Sequence, residues 1–147
     1  MNQTVYLVHH GEALDSDVNA QRPLSHNGQK RVEHLADLTA AKQVKPDAIW
    51  HSGKLRTRQT AQAFWRACNP LSELSMVRGL QPTDPAEWIL DRVNADTRSI
   101  MLVGHKPNLD WMLSLILNKP STFPPHGIVG LGRGTATWVE IWRLSPP

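Results

Sequence analysis

Val5-Tyr6-Leu7-Val8-His9-His10-Gly11-Glu12 is the stretch on which the reading of this chain turns. An apolar run rich in β-branched and aromatic residues, stopped by glycine, reads as a buried strand that ends in a sharp turn. His10 then stands at the carboxyl end of a strand, where open α/β sheets bind their ligands. The pattern recurs twice. Ala48-Ile49-Trp50 runs into His51-Ser52-Gly53-Lys54-Leu55-Arg56, and Ile100-Met101-Leu102-Val103 runs into Gly104-His105-Lys106-Pro107. Three strand ends of one sheet are expected to bring His10, Arg56 and His105 to a common rim.

The segments between these runs have helical or turn patterns. Val32, Leu35, Leu38 and Thr39 repeat at helical spacing and predict a helix from about Asn27 to Ala40. Thr60, Ala63, Phe64 and Ala67 predict a second from about Leu55 to Ala67, stopped near Asn69-Pro70. Leu74 to Val77 reads as a short strand. Asp84-Pro85-Ala86-Glu87 reads as a capping box ahead of a helix that carries Trp88, Ile89 and Val93. Leu109, Met112, Leu113, Ile116 and Leu117 predict a strongly amphipathic helix. Pro120 to Gly134 reads as a loop and Thr135 to Leu144 as a final strand. Within that loop Gly130-Leu131-Gly132-Arg133-Gly134 reads as a turn, because it precedes a strand and lacks the strand-loop-helix order of a nucleotide-binding loop. The alternation predicts an α/β three-layer sandwich, with a mainly parallel or mixed sheet and helices on both faces.

Composition narrows the function classes. A chain of 147 residues fits one domain, residues 1–147, with one core. Sixteen Lys and Arg face 13 Asp and Glu without a basic run or a nucleic-acid motif, which favours a local anion site over nucleic acid. The longest apolar run, Trp111 to Leu117, is too short to span a bilayer, and Met1 to Val8 lacks the features of a signal peptide. A cytoplasmic location with no membrane partner is expected. Cys68 is alone, which excludes an intrachain disulfide and a thiolate metal cage and leaves a buried structural thiol.

Two histidines and an arginine on one rim suit phosphoryl chemistry. A phosphoryl group needs an in-line nucleophile, which neutral imidazole supplies, and donors on its equatorial oxygens, which arginine supplies in a fixed fork. Four motifs carry a resemblance to a known family. Leu7-Val8-His9-His10-Gly11-Glu12-Ala13 is similar to the Arg-His-Gly motif of the histidine phosphatase superfamily related to phosphoglycerate mutase, in particular its SixA-type phosphohistidine phosphatases. Arg22-Pro23-Leu24-Ser25-His26-Asn27-Gly28 is similar to that family's Arg-Pro-Leu-Thr-x-x-Gly segment. Ser52-Gly53-Lys54-Leu55-Arg56-Thr57-Arg58-Gln59-Thr60-Ala61 is similar to its Ser-Pro-x-x-Arg-Ala-x-Gln-Thr-Ala, and Leu102-Val103-Gly104-His105-Lys106-Pro107 to its second histidine motif.

The resemblance implies a phosphoglycerate mutase-like fold and a phosphatase that works through a phosphohistidine on His10, most simply on phosphohistidine in a signalling protein. Arg56, Arg22 and His105 are implied as phosphate ligands, with Gly11 beside the substrate, and neither metal nor other cofactor is implied. One position departs from the family. His9 stands where the family has arginine, and a histidine resembles arginine in charge only when protonated, so His9 is expected to act as a pH-dependent phosphate donor. The mutase-type proton-donor glutamate has no clean counterpart, since the capping box accounts for Asp84 and Glu87. Arg58 is expected on the surface, and Ser52 to support its turn through backbone contacts. Glu12 is expected either to orient His10 or to brace the turn. His26, His34, His51 and His126 read as surface or loop residues. The alternatives are a phosphomonoesterase for a small metabolite, a non-catalytic phosphate-binding module, and a metal hydrolase built on His9, His10, Glu12, His51 and His105. Oligomeric state has no signal in the sequence.

Overall fold

A computed structural model of the chain describes residues 3–135 and 137–147. The elements run β1 (Gln3–His9), α1 (His26–Ala40), β2 (Ala48–His51), α2 (Leu55–Cys68), β3 (Glu73–Met76), α3 (Ala86–Asn94), β4 (Ile100–Gly104), α4 (Asn108–Leu117), β5 (Ile128–Arg133) and β6 (Trp138–Leu144). They form one sheet in the order β3-β2-β4-β1-β5-β6. The first four of these strands are parallel, and β5 and β6 are antiparallel additions on the other side of β1. The sheet is mixed, and helices cover both of its faces as the alternation of elements predicts.

The pleat explains the layers, because successive side chains of a strand point to opposite faces. Val5, Leu7, Ile100 and Leu102 pack with Ile89, Val93, Leu109 and Met112 of α3 and α4. Tyr6, Val8, Ile49, Met101 and Val103 pack with Val32, Leu35, Ala61 and Phe64 of α1 and α2. The continuous apolar runs of β1 and β4 are thus those of strands buried on both sides.

Several elements differ from the sequence reading. Leu38 is 40% exposed and Ala36 fills the buried stripe of α1 instead, while Trp88 is 45% exposed with the Arg78 guanidinium over its ring. The capping box ahead of α3 does not form: Pro85 occupies the cap position, and the Asp84 carboxylate accepts from Gln81 N at 3.0 Å. The segment read as a loop from Pro120 to Gly134 contains β5, and all but the last glycine of the Gly130-to-Gly134 stretch lies in that strand rather than in a turn. Its glycines disguised an alternating strand. A Cβ on Gly130 would stand 2.7 Å from Cε2 of Trp142, which lies across that position and contacts Tyr6 at a ring separation of 5.9 Å. The final strand starts at Trp138, so Thr135 and Thr137 lie outside it, and Ala136 is outside the described residues.

Gly130→Ala is therefore expected to destabilise the fold by about 1–3 kcal/mol, the usual cost of overpacking. Pairing it with Trp142→Leu, which removes the obstructing ring, should recover part of the loss over Trp142→Leu alone in urea unfolding.

Candidate active site

The site begins where β1 ends. His9 donates its backbone N–H to Gly127 O at 3.0 Å, and His10 N donates to Gly104 O at 3.1 Å, which extends the β1–β4 pairing by one residue. His10 and His105 consequently face each other at a ring separation of 5.1 Å. The His10 Nδ1 lies 2.7 Å from Gly11 O. A carbonyl can only accept, so Nδ1 carries the proton and Nε2 presents its lone pair. Gly11 N in turn donates to Thr60 Oγ1 at 3.0 Å, and that hydroxyl donates to Arg56 O at 2.8 Å. The turn at the nucleophile candidate is thereby tied to the first turns of α2.

Gly11 is expected from sequence to contact substrate, but its N–H and C=O are both engaged in this bracing. Its missing side chain has a packing reason, since a Cβ there would overlap Val32 Cγ2. Arg56 sits in the first turn of α2 with its Nε buried and without a hydrogen-bond partner. Arg22 has a left-handed φ of 49° and anchors Nε on Leu14 O at 2.9 Å. Burial pushes the Arg56 pKa down and the nearby Arg22 charge adds to this, so the two cations share one electrostatic field.

His105 is 2% exposed. Its Nε2 lies 2.8 Å from Ser52 Oγ, which lies 2.8 Å from Thr57 Oγ1. Ser52 thus supports a catalytic-rim histidine through its side chain, a contact the sequence reading missed. The opposite nitrogen, His105 Nδ1, is buried without a partner. Thr57 gives its hydroxyl hydrogen to Lys54 O, so Ser52 donates to Thr57 and His105 Nε2–H donates to Ser52, which leaves a lone pair on His105 Nδ1 in the neutral ring. The Arg56 Nε donor and this Nδ1 are therefore buried beside His10 with their bonding capacity unspent. Such groups are costly unless a ligand meets them.

His9 corrects the expectation that it becomes a charged arginine substitute. Its Nδ1 accepts the backbone N–H of His126 at 2.8 Å, so in the neutral ring Nε2 carries the proton. Burial, followed by the neighbouring His10, pushes its pKa down to about 2. The His126 ring stacks on His9 at 4.8 Å with an interplanar angle of 7°, and its Nδ1 donates to His10 O at 2.7 Å. His126 is thus a member of the site and not a bystander in a loop. Its position inside the segment read as a loop, Pro120 to Gly134, concealed this.

The remaining candidates are dispersed. His51 is buried and accepts from Gly53 N at 3.0 Å, contrary to its reading as a surface residue. Arg58, His26 and His34 are exposed as expected. Cys68 is partly buried, and burial raises its thiol pKa to about 11. Glu12 turns to Ser25, accepting from its hydroxyl at 2.7 Å, so it braces the start of α1 and leaves His10 alone. The metal set His9, His10, Glu12, His51 and His105 is not assembled. His9, His10 and His126 do bring one ring nitrogen each within 4.8 Å of one another. With all three Nδ1 atoms engaged and His9 Nε2 protonated, only the two lone pairs of His10 and His126 remain, too few for an ordinary zinc site.

Burial likewise lowers the pKa of His10 to about 4 and of His105 to about 3. The unfolded chain, with values near 6.5, takes up protons that the folded chain refuses. Stability is therefore full above pH 6.5 and is lost as pH falls from there towards the folded values. Urea unfolding should show a lower midpoint at pH 5 than at pH 7.5, each of these histidines contributing up to about 1.4 kcal/mol per pH unit in that window. His9→Gln should flatten the slope.

A mixed sheet whose carboxyl rim holds paired histidines and arginines defines a phosphoryl-binding α/β protein. The family model of the histidine phosphatase superfamily (branch 1) matches residues 5–88, and the chain belongs to that superfamily. It is 23% identical over 154 residues to phosphohistidine phosphatase SixA of Escherichia coli (strain K12), covering 97% of this chain and 93% of that protein. Among solved structures it is similar to the SixA protein of Agrobacterium tumefaciens, with 30% identity, a TM-score of 0.85 and 97% of each chain covered. The protein histidine phosphatase SixA complexed with tungstate shares the fold at 21% identity, with a TM-score of 0.84 over 97% of each chain.

Proposed function

We propose that this protein is a phosphohistidine phosphatase that uses His10 as its nucleophile. The observation that carries the reading is the state of His10: its Nδ1–H is pinned on Gly11 O, its pKa is pushed down to about 4, and its Nε2 lone pair is available beside two arginines. A neutral imidazole needs no deprotonation before attack. As Nε2 bonds to phosphorus, the Nδ1–H bond to the carbonyl stabilises the positive charge that develops on the ring.

In the first step the His10 Nε2–P bond forms and the bond from phosphorus to the substrate nitrogen breaks, the departing imidazole leaving with a proton. In the second, water adds to phosphorus, the Nε2–P bond breaks, and phosphate leaves with His10 neutral again. Arg56 and Arg22 bind the equatorial oxygens and stabilise the charge gathered in the transition state. His105 Nδ1 joins them, since an anion in the site opposes the desolvation that otherwise keeps this ring neutral. The cations supply the neutralisation that metal ions supply in other phosphoryl-transfer sites.

His9 contributes its Nε2–H as a neutral donor, which weakens the case for a non-catalytic phosphate-binding module. The connections from β2 to α2 and from β4 to α4 span only residues 52–54 and 105–107, so that part of the rim is low, and Lys54 and Arg58 flank it with positive charge. This suits a phosphorylated side chain on an acidic protein surface better than an enclosed metabolite.

Incubation with a phosphohistidine protein should leave acid-labile phosphate on His10. His10→Ala should abolish turnover in a folded protein, and retained hydrolysis would remove the covalent mechanism. Arg56→Ala should lower kcat/KM by about 10²- to 10³-fold, the range for loss of a preorganised oxyanion donor. Because His9 is neutral throughout, the ratio of wild-type to His9→Gln activity should stay constant between pH 6 and 8; a ratio that collapses as pH rises would restore His9 as a protonated ligand.

A further inference from the structure

We propose that His126 is the proton donor and acceptor of this site, giving a proton to the leaving group and then taking one from the attacking water. The inference rests on the phosphatase reading above and adds a residue to it. His126 is fixed by three contacts: its backbone N–H on His9 Nδ1, its own Nδ1–H on His10 O, and the stack of its ring on His9. The residue holds a left-handed φ of 56°, a conformation uncommon outside glycine that histidine adopts more readily than most side chains. Because Nδ1 is spent on a carbonyl, Nε2 is the nitrogen left for proton exchange.

Its ring centre is 5.9 Å from that of His10, and a ring nitrogen of each lies within 4.8 Å of the other's. In the proposed role Nε2 comes within reach of the atom on phosphorus opposite His10, directly or through one water. The ring is only half-buried, so it can exchange protons with solvent, whereas His9 and His105 are buried. The two carboxylates that the sequence offers near the motifs are engaged elsewhere: Glu12 accepts from the Ser25 hydroxyl and Asp84 from Gln81 N. The charged and titratable groups around His126 are His9 and His10 of β1, Glu12 and Arg31, which line the same depression, and Lys106, whose charge is felt at His9.

The proton balance closes. In the imidazolium form His126 Nε2–H protonates the departing atom while the His10 Nε2–P bond forms, which leaves His126 neutral. Water then attacks the phosphohistidine on His10 and yields its proton to His126 Nε2, which restores the imidazolium as phosphate departs. The same atom serves both steps because the leaving group and the water occupy the same apical position.

The test is His126→Asn. Asparagine tolerates the left-handed backbone, and its side-chain amide can replace the Nδ1–H donor to His10 O, while Nε2 is lost. The probes are 2,4-dinitrophenyl, 4-nitrophenyl and phenyl phosphate, whose leaving groups need an acid to increasing degrees. For phenyl phosphate the variant should lose about 10²-fold in kcat/KM or more, the lower range for general acid catalysis, and for 2,4-dinitrophenyl phosphate less than about 3-fold. With the dinitrophenyl ester it should also release a burst of one phenolate per enzyme and accumulate acid-labile phosphate on His10. An equal loss on all three esters without a burst, or no loss, overturns the proposal. His126→Gln, read in the same way, guards against a folding defect, and melting curves of both variants separate that defect from lost chemistry. Wild type that turns over none of the esters and no phosphohistidine protein, like its His10→Ala variant, would overturn the phosphatase reading itself, an outcome distinct from a wild type whose leaving-group dependence matches that of the variants.

Discussion

The site depends on the parallel pairing of β1 with β4. Register aligns His9 with Gly104, and the bond from His10 N to Gly104 O carries the alignment one residue beyond the strands. Both strands are buried on both faces, so a slip of one residue would turn each apolar side chain into the wrong layer. The core therefore enforces the register, and the register sets His10 against His105. Arg56 is joined to the same point through Thr60, whose hydroxyl links Gly11 N to the backbone of α2. Packing energy is thus converted into the placement of the atoms proposed as catalytic, which is the preorganisation that electrostatic catalysis requires.

The same burial creates an electrostatic conflict. Three imidazoles are held neutral against two arginines, and Arg56 Nε and His105 Nδ1 are left without partners. An unsatisfied buried polar group costs about 1–3 kcal/mol, so these two atoms are a local cost in an otherwise well-packed sheet. In the proposed mechanism a bound phosphoryl group offsets the conflict: it accepts from Arg56 Nε, favours a proton on His105 Nδ1 and neutralises the repulsion between Arg22 and Arg56. Affinity and charge stabilisation in the transition state then have one physical source.

The exchange of the family's arginine for His9 makes sense only with His126. A free histidine at that position would exchange protons and tautomers with the medium. The backbone N–H of His126 removes that freedom, and the stacked ring fixes the plane, so His9 presents one defined donor. A donor is kept at this position while permanent charge is given up. In the proposed mechanism the negative charge of the substrate is then balanced mainly by Arg22 and Arg56.

The sequence by itself determined the alternating α/β order, the buried character of β1, β2 and β4, and the delivery of His10, Arg56 and His105 to strand ends. Those features are local, set by hydrophobic period and by the glycine or helix start that follows each run. It did not reveal β5, because Gly130 and Gly132 look like turn residues until Trp142 is known to lie over the first of them. Nor did it reveal Ser52 as the support of His105, the burial of His51, or His126 as a neighbour of His9, which is 117 residues away in the chain. Tautomers and depressed pKa values belong to the same class. They arise from desolvation and from single hydrogen bonds that the folded chain sets: His9 to His126 beside β5, His105 to Ser52 after β2, and His10 to Gly11 in a turn braced by Thr60.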